Sequence, residues 1–291
     1  MAKAGLAQNL KYRFEYGAFR AVGGLLRLLP VELASRLSGL GWRLVAPMLH
    51  RHQRALGNLR IAFPEKSARE IDAIARAMWE NLGRTFAESF HLDEFREPGR
   101  IVVENSAAVS AFNARGGGVI CAPHLSNWEL NAVELVRRGA KAAAIYQRVK
   151  NPLVNAFVLS QRRPLYPGGM HEKSNTAPRA MLRHARGGGT VVMLTDLRDA
   201  GGVAVPFFGR PAPSSPFAAI VARRLGVSLA VTCLVREADA RFRMKFEEIA
   251  VPVTDDRDAD ILEATARIQA AFERFVRAHP EQWMWAHRRW G

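Results

Sequence analysis

The residues best placed by type and spacing to do chemistry lie in Val119-Ile-Cys-Ala-Pro-His124-Leu-Ser-Asn-Trp-Glu129-Leu. A buried apolar strand ends at Pro123, and His124 stands just past its carboxyl end, where open α/β sheets collect their ligands. Ser126 and Glu129 fit the S-x-x-E capping box, which predicts a helix start at this point. On one continuous helix, positions five apart point about 140° away from each other. His124 and Glu129 can therefore meet only if the histidine lies in the turn before the helix. A carboxylate bonded to one ring nitrogen fixes the tautomer and raises the basicity of the other, which can then take a proton from a hydroxyl. The spacing equally suits a loop histidine beside a capping glutamate, and both readings stay open at this point.

Other candidates are weaker. Gly226-Val-Ser228-Leu-Ala230 imitates a nucleophile elbow, but it leads into a strand instead of lying between a strand and the following helix. Ser228 therefore reads as an ordinary strand residue. His171 and His184 have no metal-ligand spacing with a carboxylate, and neither H-E-x-x-H nor Cys-x-x-Cys occurs, so no metal is expected. Cys121 and Cys233 cannot build a disulfide framework, which makes a reducing compartment the default. Gly187-Gly-Gly189 follows a helix and precedes a strand, so it reads as a helix C-terminal turn and not a phosphate cradle. With no P-loop or dinucleotide fingerprint, no cofactor is expected. Trp283, Trp285 and Trp290 beside Arg288 and Arg289 would suit base stacking, a membrane interface or C-terminal packing alike.

The elements that must position His124 follow from periodicity. Short apolar runs at Ile101–Val103, Gly118–Ala122, Ala142–Tyr146, Thr190–Leu194 and Ser228–Leu234 read as strands, with Arg241–Phe246 as a further one. Helical stretches near 126–138, 152–163, 176–186 and 215–225 alternate with them, and Ile261–Ala278 reads as a closing helix. This alternation predicts an α/β fold with a mostly parallel central sheet flanked by helices. Ahead of it, Pro30 and Pro47 divide the first 60 residues into three short helices. Ser67-Ala-Arg-Glu70 is a capping box that opens a strong helix through Phe86. Residues 1–95 are therefore expected to form an N-terminal helical region and 96–291 the α/β body.

The chain has 291 residues, 48% of them hydrophobic and 24% charged, which excludes disordered and fibrous classes. Its net charge of +15 calls for an anionic neighbour. Residues 1–60 hold ten basic and two acidic side chains among many large apolar ones, a local charge of +8. Arginines interrupt every apolar run, so nothing approaches the ~18 uncharged residues of a membrane-spanning helix. No secretory signal is evident. The pattern suits a basic amphipathic region lying in an anionic membrane interface; a helical layer with solvated arginines is the plainer alternative.

His124 to Glu129 resembles the H-x4-[DE] signature of glycerolipid-type acyltransferases, and His-Leu-Ser-Asn-Trp-Glu-Leu is similar to the late lipid A acyltransferase branch. Four further segments resemble that branch in order: Asn58-Leu-Arg-Ile-Ala-Phe-Pro64, Asn151-Pro-Leu153 with Arg162, Val205-Pro-Phe-Phe-Gly209, and Glu281-Gln-Trp-Met-Trp285 through Arg288-Arg-Trp290. The resemblance implies a glycerolipid-acyltransferase-like fold on the cytoplasmic face of a bacterial inner membrane, held peripherally or monotopically. It implies O-acyl transfer to a hydroxyl of a lipid A precursor, from an acyl carrier protein or acyl-CoA thioester, without cofactor or metal. His124 and Glu129 would be catalytic, Arg162 would stabilise the oxyanion or hold a phosphate, and an aspartate after the next strand maps onto Asp196. Arg163 and Asp199 compete with Arg162 and Asp196 for those matches. Another glycolipid or lysophospholipid acceptor, such as a phosphatidylinositol mannoside, is the alternative. A basic nucleic-acid-binding protein is the remote one, and it leaves the histidine and glutamate unexplained.

Overall fold

Local signals account for most boundaries in the computed structural model, which describes residues 2–290. Four helices lead: α1 (Ala2–Arg27), α2 (Val31–Val45), α3 (His50–Ala62) and α4 (Ala68–Glu88). Pro30 and Pro47 do interrupt the chain, but the first helix is a single rod of 26 residues and not a short one. The Ser67–Glu70 capping box forms in full at the head of α4. The body then alternates: β1 (Ile101–Val103), α5 (Ser106–Ala114), β2 (Gly118–Ala122), α6 (Val133–Arg137), β3 (Ala142–Tyr146), α7 (Pro152–Arg162), β4 (Gly169–Glu172), α8 (Ala177–Arg186) and β5 (Thr190–Leu194). A hairpin of β6 (Val203–Phe207) and β7 (Arg210–Ser214) follows, then α9 (Phe217–Leu225), β8 (Ser228–Ala238), β9 (Arg241–Glu248) and α10 (Arg257–Ala278).

Seven strands form one sheet in the order β1-β9-β8-β2-β5-β3-β4. From β8 to β4 every pair is parallel, while β9 runs antiparallel to β8 and parallel to β1. The fold is thus α/β with a mostly parallel sheet and a helical N-terminal region. All five residues of central β2 are buried, as expected of a strand covered on both faces. Three strands escape sequence reading. β4 is a short, half-buried edge strand, Gly-Met-His-Glu, with no apolar run. The β6–β7 ribbon contains Pro206, Pro211 and Pro213, which a two-stranded ribbon tolerates because its outer edges need no donors.

One apolar core joins the helical region to the sheet. Phe63, at the end of α3, meets the Phe208 ring at 5.4 Å and the Trp285 ring at 5.8 Å. α2 and α4 approach so closely that a Cβ on Gly83 would lie 2.7 Å from the Ser38 carbonyl oxygen. Helix α1 is different: Leu6, Leu10 and Phe14 recur at helical spacing and are largely exposed, as are Leu33, Leu37, Leu40 and Leu44 on α2. No helix among the described residues is long and apolar enough to cross a membrane.

Candidate active site

Strand register brings the site together. Ala122 at the end of β2 pairs with Leu194 at the end of β5. His124 and Asp196 each stand two residues farther on, so the parallel neighbours deliver them side by side. Asp196 Oδ1 lies 2.7 Å from His124 Nδ1, and Asp196 Oδ2 accepts the His124 backbone N–H at 2.7 Å. The Trp283 indole N–H also donates to Oδ2, at 2.7 Å. Asp196 is fully buried. Burial alone would raise its pKa, but the His124 charge and the three donors outweigh that and hold it below the ordinary carboxylate range. An ionised carboxylate only accepts, so Nδ1 carries the hydrogen and Nε2 keeps its lone pair for a substrate proton.

The loop after His124 is clamped from several directions. Met284 N–H donates to the His124 carbonyl at 3.1 Å, and Ser126 N–H donates to the Gln282 carbonyl at 2.8 Å. Leu125 and Trp283 form an antiparallel bridge between them. Ser126 sits at φ 54, an unusual region for a residue with a Cβ. Its carbonyl is held there by Thr85 Oγ1 at 3.0 Å and by Asn81 Nδ2 at 3.4 Å, both from α4. Asn127 donates to Glu88 at 2.8 Å, and buried Glu88 also accepts from Ser35 and from Arg236 in a two-pronged ion pair. Among the described residues the buried polar groups of this network are paired except for the Ser126 hydroxyl, and the paired groups hold the loop where its backbone is strained.

Glu129 points elsewhere. The expected capping box does not form: Asn127 is the N-cap, accepting from the Glu129 N–H at 3.2 Å, and a 3₁₀ turn spans Trp128–Ala132 before α6. That turn sends the Glu129 carboxylate to α7, where Arg162 Nε donates to Oε2 at 2.6 Å and Nη2 to Oε1. The expectation that Glu129 orients His124 is therefore corrected: the ring's carboxylate partner is Asp196. Burial works against the Arg162 charge, but Glu129 more than compensates and raises its pKa. Arg163, the next residue, is exposed. Asp199 caps its own turn, accepting from the Gly201 N–H at 3.3 Å, and does not approach His124.

Two further basic residues near the dyad, Arg289 and His287, lie inside the C-terminal segment that resembles the family, but their spacing gives no sign of what they contact. Arg289 is fully buried and forms no ion pair among the described residues; it donates to Gln269 Oε1 at 2.9 Å, Ser214 Oγ at 2.8 Å and the Pro213 carbonyl at 3.0 Å. Gln269 in turn donates to the Thr195 carbonyl at 2.9 Å, one residue before Asp196. Burial lowers the Arg289 pKa to about 10, and the Asp196 charge offsets part of that. His287 stacks on His124 with ring centroids 6.1 Å apart, while Trp128 tilts against the other ring at 5.3 Å. Cys121, just before the site, is buried and its thiol is pushed up to about 12, so it is no nucleophile at neutral pH.

The sequence profile described as bacterial lipid A biosynthesis acyltransferase matches residues 8–291. The chain belongs to this family. It is an acyltransferase, acting between an acyl donor and a lipid acceptor. It is also similar to the phosphatidylinositol mannoside acyltransferase of Mycobacterium tuberculosis (strain ATCC 25618 / H37Rv), 25% identical over 234 residues, which cover 75% of this chain and 71% of that protein. An imidazole with a bare Nε2 is able to accept a proton, and the Arg162 guanidinium is a fixed positive charge held by Glu129. The structure thus brings His124 to Asp196 and Glu129 to Arg162, as two separate pairs. Trp283 and Asn127, which fix the dyad and its loop, were not singled out for those roles by sequence reasoning. Their only signal is their place inside segments that resemble the family.

Proposed function

We propose that the enzyme transfers a fatty acyl group from an acyl thioester to a hydroxyl of a lipid A precursor, with His124 as general base and Asp196 as its partner. The observation that carries this reading is the Nδ1–Asp196 bond, which leaves Nε2 as the basic nitrogen. Nε2 takes the hydroxyl proton while the oxygen attacks the thioester carbonyl. The tetrahedral oxyanion collapses, the C–S bond breaks, and the thiolate leaves with the proton from the imidazolium. Direct transfer is favoured because Cys121 and Cys233 are buried, and burial raises both thiols. Arg162 Nη1 has no partner among the described residues, and with Glu129 fixing the guanidinium it would donate to the oxyanion or to a substrate phosphate. Glu129 acts through Arg162 as a positioning residue.

The donor in this reading is acyl carrier protein or acyl-CoA, and both suit a chain of charge +15. The exposed leucines of α1 and α2, interleaved with arginines, support seating on the anionic cytoplasmic face of the bacterial inner membrane, peripheral or monotopic. A phosphatidylinositol mannoside is the second acceptor reading, favoured by the mycobacterial relative. Purified enzyme offered each acceptor with a radiolabelled acyl thioester decides between them. Labelled lipid A precursor that disappears with His124→Ala supports the proposal; label on the mannoside alone replaces the acceptor; full activity in His124→Ala sinks the mechanism.

A further inference from the structure

The His124 ring has a basic neighbourhood that the two pairs above do not use. His287, stacked on His124, is held by α3: Asn58 Nδ2 donates to the His287 carbonyl at 2.7 Å and to the Trp285 carbonyl at 2.8 Å. One turn earlier on the same helix, Arg54 reaches the Ala286 carbonyl at 3.4 Å. Arg51 lies three residues before Arg54, on the same helix face, and is exposed. Among the described residues neither arginine is paired with a carboxylate; Asp72, the acid that meets this helix, is taken by Arg76 and His52. His287 registers the crowding. Its pKa is lowered first by burial and then by the His124 charge; Asp196 pulls it upward, and Arg51 and Arg54 each add a smaller downward push.

Unpaired guanidiniums beside a reacting centre attract an anion, and their fork geometry matches phosphate oxygens two at a time. We propose that Arg51 and Arg54, with His287, form a phosphate subsite at the rim of the His124 site, holding a phosphate ester of one substrate while the accepting hydroxyl reaches Nε2. The proposal rests on the acyltransferase reading of His124. Its ligand chemistry has two sources: the phosphate of the pantetheine arm that carries a donor thioester, or a phosphate on the acceptor glycolipid. His287, kept neutral, contributes a ring nitrogen instead of a third charge. On its other face it braces His124.

The full-length enzyme is compared with Arg51→Gln, Arg54→Gln and the double variant. Arg51 is exposed and makes no side-chain hydrogen bond or ion pair among the described residues, so Arg51→Gln is the variant least confounded by folding. Four substrate pairings are used: acyl-CoA or the matching acyl-N-acetylcysteamine thioester, each with a phosphorylated or dephosphorylated acceptor. A charge-assisted hydrogen bond sets the scale, so kcat/KM should fall roughly ten- to a hundred-fold in the double variant, mainly through KM. The fall should be confined to pairings that contain the phosphate. Loss only with acyl-CoA names the donor arm, and loss only with the phosphorylated acceptor names the acceptor. An equal fall in all four pairings, or no fall in any, overturns the subsite. Calorimetry with inorganic pyrophosphate reads the site without turnover: binding weakened at least ten-fold in the double variant supports it, and equal binding refutes it. If the wild-type chain acylates nothing, the proposed function fails, and the calorimetric arm still decides the subsite.

Discussion

Asp196 and Glu129 are both buried acids of the candidate site, yet each holds a different base. Asp196 takes both the ring and the backbone of His124, while Glu129 takes a guanidinium. The assignment is testable through pH. Asp196→Asn removes the negative charge that stabilises the imidazolium, so the acid limb of the kcat/KM profile should move to lower pH. Because the amide also permits the wrong tautomer, kcat should fall by about 10⁴, as in a comparable Asp→Asn change in a His–Asp pair. Glu129→Gln should leave that limb in place, since it touches Arg162 and not His124. If the limb moves with Glu129→Gln instead, the pairing is wrong. Arg289 gives the opposite sign. Its buried charge opposes protonation of the dyad, so Arg289→Gln should move the acid limb to higher pH and Arg289→Lys should restore it. Loss of melting temperature with an unmoved limb would make Arg289 a structural tie and nothing more.

At the scale of elements, α7 carries Arg162 but buries none of its own residues, so something else must hold it. α1 does. Phe19 meets the Phe157 ring at 5.5 Å, Arg20 lies 4.7 Å over the same ring, and Asn151 donates to the Tyr12 carbonyl at 2.9 Å while capping α7. Removal of residues 1–28 should therefore lower kcat in detergent micelles, where no bilayer is needed. Phe157→Ala should reproduce part of that loss, because it removes the ring on which Phe19 and Arg20 pack. Phe14→Ala, at a residue 80% exposed, should weaken membrane binding without touching kcat. A truncated enzyme with full kcat would reduce α1 to a tether. The same helices show what a sequence displays and what it hides. Strands β2, β5 and β8 are legible because each is dominated by apolar residues, and α4 because its capping box is local. His124, Glu129, Arg162 and Asp196 were legible as residue types inside recognisable segments. Their partners were not, because the β2–β5 adjacency is a matter of strand order, and no local pattern encodes that. The direction of Glu129 likewise depends on a 3₁₀ turn that replaced the expected capped helix.

Across the whole molecule, the basic charge and the buried histidines set how the fold responds to acid. His52, His279 and His287 all have pKa values lowered chiefly by burial. The unfolded chain takes up these protons near the ordinary imidazole value, about 6.5, while the folded chain does not. The unfolded state then binds more protons, so stability rises with pH and is lost as pH falls below about 6.5. His52 gives the clearest structural reason. Its Nδ1 accepts the Trp79 indole N–H at 3.0 Å, where α3 packs on α4. A second proton must sit on that nitrogen, which would break the bond and leave a buried indole donor unpaired. The upward pull of Asp72 on the ring is too small to reverse the shift. The melting temperature should therefore fall between about pH 7.5 and about pH 5.5, before the carboxylates titrate. His52→Gln keeps an acceptor for Trp79 and removes the titration, so it should flatten the slope in that range while changing the neutral-pH melting temperature little. A slope identical to wild type would assign the acid sensitivity to His279 and His287, in the segment that follows α10. A wild-type melting temperature that is flat over the range would mean that the helical layer and the C-terminal segment do not resist protonation as their burial requires.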